Sequence, residues 1–433
     1  MRTLKLTIEG DYWDCQIYRG SLYVWTMDGK LMTYDWPRLV ESLVERPTDK
    51  LPLFCAFRSG SYLYAENVSL FTGDREVRNI LDSRTAELAA RDLTIDRRRL
   101  TTFERGVQVN PFPSLPIDSE IYYERMYVAS DGGVFAATCP RAARLKYPVS
   151  SRPRKLWDCK VLGLRASHRK LALAAGDDGL CEYDLSDGSG ATRYDVAAVP
   201  IEASVMQLSE RHCSSVSWAF ASIFASSHVG NSYLAGFGWE GQRGVDLRRA
   251  FRTLVDQSSI FDQDGFAFGA GEKLYLARDS HVDAVRFTQS ELVHNPIEAA
   301  GTGDDITEDD PAEEVRGPFQ RIGTLEESDI TGPALSGDVA AFGTVVEIDG
   351  GLAVLRSDGG REFVKGPVTR WRVYHRSVDY DNQLHVILDD RLEIYAYLHD
   401  AWVDQQQKVA GLRADATGVG ARPAWRSRRT PSE

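Results

Sequence analysis

Five stretches of this chain share one pattern: a run of alternating apolar residues, a bend containing Asp, and a second apolar run. They are SLYVWTMDGKLMTYD from Ser21, RMYVASDGGVFAAT from Arg125, KLALAAGDDGLCEYD from Lys170, KLYLARDSHVDAVRF from Lys273 and QLHVILDDRLEIYAY from Gln383. Period-2 alternation around Asp-Gly, Asp-Asp or Asp-Ser is the signature of a β-hairpin, because the bend needs residues that tolerate positive φ. Three weaker copies begin at Ser61 (SYLYAENVSLFTG), Asn231 (NSYLAGFGWEG) and Thr344 (TVVEIDGGLAVLRSDG). Successive copies begin roughly 40 to 65 residues apart in most cases, the period of a four-stranded unit that cannot bury both faces alone and must stack against its neighbours.

The pattern therefore predicts an all-β fold, a β-propeller of four-stranded blades with short helical and acidic loop insertions. The hairpins count to seven blades, with an eighth left open. A further strand is expected before each hairpin, and Trp13, Trp157 and Trp371 each begin a candidate; Trp-Asp-Cys recurs at Trp13 to Cys15 and at Trp157 to Cys159. RTLKLTIEG (Arg2 to Gly10) reads as a strand free to complete the last blade beside RLEIYAYL, which would remove two exposed sheet edges.

LALAAGDDGLCEYDLSDGS (Leu171 to Ser189) resembles the end of a WD repeat, with Tyr183-Asp184 where that family usually has Trp-Asp, and MTYDW (Met32 to Trp36) repeats Tyr-Asp in the same place. The Gly-His dipeptide of the family is missing before most of the hairpins. The resemblance implies a WD-repeat-like propeller and no particular activity, since one fold hosts many functions.

The chain has 433 residues and a net charge of -12, which repels phosphate and argues against sequence-independent binding to duplex DNA. The first residues lack an apolar signal-peptide core, and no window offers the roughly 18 uncharged apolar residues of a membrane helix, so a cytoplasmic protein with no membrane partner is expected. The six cysteines form no CxxC pair and read as reduced, buried thiols within strands, not as a disulfide or zinc framework.

Several segments interrupt the pattern. DWPRLVESLVER from Asp35 reads as a capped amphipathic helix. An insertion from Asp74 to Gly106 has a helix-favouring centre at Thr85 to Arg91 and a basic cluster, Arg97, Arg98 and Arg99. That cluster reads as a solvated loop balanced by Asp92, Asp96 and Glu104, or else as a docking site for an acidic partner. A second insertion, residues 291–318, contains GTGDDITEDDPAEE, in which Asp304, Asp305, Asp309 and Asp310 are candidate partner contacts. A stretch so poor in apolar residues is expected to be a flexible loop. It lacks the alternate-position oxygens and glycine of a known calcium loop. The propeller is assigned to residues 1–403, and residues 404–433, with Arg422, Arg426, Arg428 and Arg429, to a flexible basic tail.

Linear motifs for chemistry are sparse. His168, His228, His281, His375 and His385 show no zinc spacing. The pairs Asp262/Asp264 and Asp379/Asp381 suit a general acid and base but are also explained by turn chemistry. The Gly-rich stretches GAGEK and GVGARPA lack the strand-to-helix context of a phosphate loop. Cys213 stands beside His212, but neighbours on a strand point to opposite faces. In SVSWAFASIFASSHVGNSYLAGFGWEG, from Ser215, Trp218 and Phe220 share a face and read as core, whereas Phe237 and Trp239, placed near a hairpin turn, are candidate interface anchors.

The expected function is a non-catalytic scaffold that binds other protein subunits within an intracellular multi-component assembly, with no cofactor and no metal. The alternative is a hydrolase or lyase whose site converges at the channel mouth from Asp262, Asp264, His281, Asp379 and Asp381. A second alternative is a nucleic-acid-associated subunit that uses Arg97 to Arg99 and the C-terminal arginines.

Overall fold

The computed structural model describes residues 1–59, 74–139, 147–185, 205–241, 248–278, 281–287, 319–326 and 332–398. Its strands form seven antiparallel four-strand sheets, to one of which a further parallel strand is added. Each sheet is a blade. The innermost strands, in blade order, are Tyr12–Tyr18, Asp118–Tyr122, Gly163–Ser167, Ser215–Ala219, Phe266–Ala270, Ser336–Ala340 and Arg370–Val373.

The stacking of blades explains why the hairpins read as near-continuous apolar runs. In blade 3, Leu171 and Leu173 pack towards blade 2 with Tyr127 and Ala129, while Ala172 and Ala174 pack towards blade 4 with Trp218 and Ile223. A strand buried on both faces carries apolar side chains in both phases of the alternation. The same two-sided packing recurs around the ring, so that the hydrophobic core is a set of layers between blades. At the bends, Gly29 and Gly179 adopt φ of 79° and 81°, as Asp-Gly turns require.

The five strong hairpins are the second and third strands of blades 1, 2, 3, 5 and 7. Tyr34 and Tyr183 are buried at the ends of equivalent third strands, as in a WD-repeat-like blade. The weak copy at Thr344 belongs to blade 6. The copy read from Asn231 is one strand, Tyr233–Glu240, whose hairpin partner is Ser222–Ser226; Gly236 and Gly238 lie inside the strand and make no turn. The copy at Ser61 lies outside the described residues. Trp157 ends the outer strand of blade 2 and does not open blade 3, which starts at Gly163. The two Trp-Asp-Cys triplets thus occupy different places, because the second is followed by a loop before its inner strand begins. Of the cysteines, Cys15 and Cys181 lie within strands and Cys55 in a helix; all six are free thiols, and only Cys159 is not buried.

Arg2–Glu9 pairs along its whole length with Arg391–Leu398 and closes blade 7. Its alternation buries Leu4, Leu6 and Ile8. Leu93–Ile95 then pairs in parallel outside it, a geometry that needs a long crossover. The first three strands of blade 1 and then helical segments lie in that crossover. Asp35 caps Trp36–Glu41 by accepting from the Arg38 backbone N–H, Pro37 sits in the first turn, and the Trp36 indole N–H donates to the Phe57 carbonyl. The longer helix spans Arg75–Ala89, starting earlier than its helix-favouring centre, with Asp74 as its cap. Leu53, Phe57 and Leu88 bury themselves in the layer between blades 7 and 1. The chain returns as Glu104–Val109, the outer strand of blade 1.

Candidate interaction surface on the turn face

In an up-and-down blade the first-to-second and third-to-fourth connections lie on one face of the ring, here termed the turn face, and the other connections lie on the opposite face. On the turn face the first connection of each blade is short in blades 1 to 6, and several of these turns hold non-glycine residues at positive φ: Arg19, Tyr123, Glu124, His168, Arg169 and Phe220. Neighbouring turns are tied by hydrogen bonds. The Ala341 N–H donates to the Asp381 carbonyl, the Tyr380 hydroxyl accepts from the Gly20 N–H, and the Tyr18 hydroxyl accepts from the Glu124 N–H. Further round, the Tyr122 hydroxyl accepts from the Arg169 N–H, His168 Nε2 lies 3.0 Å from the Phe220 carbonyl, and the Phe220 N–H donates to the Gly271 carbonyl. These bonds run from blade 6 through blades 7, 1, 2, 3 and 4 to blade 5, which makes the turn face rigid.

Over blades 3 and 4 this rigid face exposes aromatic rings. Phe220 and Trp239 are each 43% exposed. His168 sits among three rings, 5.8 Å from Trp218, 5.8 Å from Phe220 and 6.2 Å from Trp239. Burial lowers the His168 pKa and keeps the ring neutral, with Nε2–H donating to the Phe220 carbonyl. Beneath them Arg249 stacks on Trp218 and Phe237 and pairs with Glu182.

The candidate anchors are therefore divided. Trp239 lies in the third strand of blade 4, cross-strand from Arg249, and is open to solvent. Phe237 is 1% exposed and cannot be a surface anchor; its ring forms the floor under Arg249. Neither lies in a turn. Phe220, read as core because it shares the phase of Trp218, is in fact the turn residue after that strand, and its positive φ turns its ring outward.

Arg97, Arg98 and Arg99 open a short helix capped by Asp96. Arg97 pairs with Asp11 at 2.9 Å, Arg99 donates to the Ser42 carbonyl and hydroxyl, and Arg98 is exposed. Asp11 precedes the first strand of blade 1, so the cluster lies on the face opposite Trp239. Asp304, Asp305, Asp309 and Asp310, and residues 404–433, lie outside the described residues.

The candidate acid and base residues do not converge. Asp262 and Asp264 precede the first strand of blade 5 and His281 opens its third, all on the face opposite the turns, whereas Asp379 and Asp381 lie in the first connection of blade 7 on the turn face. Among the described residues no group of three or more His, Cys, Asp or Glu is placed to hold a metal ion.

Sequence reading missed a charged lattice on the channel wall. Arg372 of blade 7 grips Asp14 of blade 1 with two bonds of 2.8 Å and reaches Asp118 of blade 2 at 3.1 Å. Arg165 of blade 3 meets the other Asp118 oxygen at 2.6 Å. Burial pushes the Asp118 carboxyl up, but the guanidinium groups of Arg165, Arg372 and Arg370 outweigh it and hold the group well below the usual carboxylate range. Arg376 reaches Glu120 at 2.6 Å, yet burial leaves the Glu120 pKa raised. Four blades are thereby joined by ion pairs at their inner strands. The only sequence signal was a charge at the third residue of five of the seven inner strands, Asp14, Glu120, Arg165, Asp338 and Arg372, which means nothing until the blades converge.

No protein-family model matches the chain, and no curated protein matches it. Solved structures that it resembles include BamB from Moraxella catarrhalis, at 11% identity over 88% of this chain and 80% of that one with a TM-score of 0.36. Others are BBS1N in complex with ARL6DN, at 9% identity over 93% and 99% with a TM-score of 0.46, and the N-terminal domain of Nup159, at 9% over 90% and 90% with 0.39. Likenesses of this order carry no argument, and the assignment rests on the sheets themselves: the chain is a seven-bladed β-propeller of WD-repeat-like architecture.

Proposed function

We propose that this protein is a non-catalytic interaction platform, cytoplasmic, that holds other protein subunits in a multi-component assembly. The observation that carries the reading is the rigid turn face with Phe220 and Trp239 exposed over blades 3 and 4. Large apolar rings held in place by hydrogen-bonded turns give a partner contact area at little ordering cost. Loops on a rigid frame are where propellers and similar scaffolds place recognition. We assign residues 1–403 to the platform and 404–433 to a separate basic tail, on composition.

The reading is tested by purifying the tagged protein from its own host at moderate salt and weighing the intact complex. Companions at fixed stoichiometry are expected. A protein that elutes alone at every salt concentration overturns the platform.

A further inference from the structure

Among the described residues, the patch over blades 3 and 4 has a sign opposite to that of the chain as a whole. At the rim of blade 4, on the other side of the sheet from Trp239, Arg248 and Arg252 share one carboxylate, Glu240, at 3.1 and 2.8 Å. Arg249 is paired with Glu182, and one of its terminal nitrogens is buried without a partner. Arg169, exposed beside His168, has no ion pair with any described residue. Among the described residues guanidinium groups thus exceed carboxylates here, in a chain whose net charge is -12.

The backbone adds a second observation. Phe220 holds a bulky ring at φ 53°, a conformation that costs a non-glycine residue and is retained where the surroundings over-determine it. Its ring gains little burial in return, being 43% exposed. Bonds to its carbonyl and its N–H pin it from both sides. The surrounding bonds therefore hold a strained residue with its ring facing outward.

The outer strand of blade 4, Arg248–Asp256, borders the patch and has no strand beyond it among the described residues. Its Phe251 is 37% exposed and lies edge-on to Phe237.

We infer that this patch takes an acidic peptide segment of a partner protein, anchored by one leucine or aromatic side chain against Phe220 and Trp239, with its carboxylates at Arg169 and Arg248. The inference rests on the platform reading and names the face and the partner chemistry. Most of the guanidinium charge is already neutralised by Glu182 and Glu240, so the surplus suits a few carboxylates better than a chain of phosphates, which the net charge of the molecule also repels.

The test uses the full chain and a short fluorescein-labelled peptide of Glu and Asp around one Leu and one Trp, followed by anisotropy. A version with Lys for every acid and a labelled oligothymidylate serve as comparisons. The acidic peptide is expected to bind more weakly as salt rises. Trp239→Ala should weaken it by about tenfold or more and Arg169→Glu by severalfold, with thermal unfolding unchanged. Equal binding of the Lys version, preferential binding of the oligonucleotide, or affinity unmoved by both substitutions overturns the inference. So does binding that emerges only after residues 301–314 are deleted, which would assign the patch to the chain's own acidic segment. Host companions that stay bound to both variants sink the inference and leave the platform standing, whereas a chain with no companions sinks the platform itself.

Discussion

Blades 7 and 4 are built on one plan and end differently. Blade 7 joins the two ends of the described chain, and its outer strand Arg2–Glu9 is covered by Leu93–Ile95 and by the helix Arg75–Ala89. Blade 4 ends in a strand rich in arginine that no other described strand covers, with Trp239 and Phe251 exposed. An edge that holds a ring shut has to be protected from exchange with solvent or other chains, while an edge that plays no part in closure is free to be presented. Stability is thus concentrated at one side of the ring and accessible surface at another.

The comparison is broken most severely by removing residues 1–9. The loss exposes the faces that Leu4, Leu6 and Ile8 cover, each about 1.5–3 kcal/mol of burial, against a typical total stability of 5–15 kcal/mol. The cooperative thermal transition should disappear and the protein should aggregate in size-exclusion chromatography; a melting temperature within a few degrees of the parent would show that blade 7 is not the closure.

Next in size is Arg372→Ala. It strips Asp14, 0% exposed, of its two guanidinium bonds, leaving the Ser119 hydroxyl, the Cys15 N–H and Arg370 at 3.8 Å, and removes one of the charges on Asp118, at a cost of about 3 kcal/mol in denaturant unfolding. The double variant with Asp14→Ala should recover part of that loss. Arg248→Ala at the edge of blade 4, where the side chain is 77% exposed, should change stability by no more than about 0.5 kcal/mol. Similar losses for the two arginines would erase the contrast.

A graded effect, spread over several pH units, comes from His385 in the second strand of blade 7. Burial first, and then the Arg372 charge, lower its pKa to about 3, so the folded protein keeps it neutral, with its Nε2–H donating to Gln383 Oε1 at 3.0 Å. The unfolded chain takes up that proton below about pH 6.5 and the folded one only near pH 3, so between these limits the unfolded state binds more protons and stability rises with pH. As pH falls through this window the His385 contribution is lost, at up to about 1.4 kcal/mol per unit. Its replacement by Gln should flatten the slope of stability against pH between about 3 and 6.5; an unchanged slope would assign the acid sensitivity elsewhere.

Much of this fold was legible locally. Asp-Gly bends between apolar runs mark the hairpins, Asp35 with Pro37 marks a helix start, and the alternation of Leu4, Leu6 and Ile8 marks the closing strand, because turn, cap and burial signals all act over a few residues. The Asn231 and Trp157 assignments went astray because glycine within a strand and a Trp-Asp-Cys triplet look alike whether the neighbouring blade is present or not. The interaction surface was half legible: Trp239 stood out by residue type, but Phe237, two residues earlier on the same strand, is floor rather than anchor, a distinction made by Arg249 lying between it and solvent.

The sequence by itself determined the strand units, their closure by Arg2–Glu9 and the all-β class, since hydrogen-bonding turns and two-phase apolar alternation are properties of short segments. Only the tertiary structure decided which charges meet at the channel, which rings stay exposed and which face carries them. Asp14, Asp118, Arg165 and Arg372 come from four blades and His168, Phe220 and Trp239 from two. Their proximity is a product of ring closure, and no interaction between neighbours in sequence encodes it.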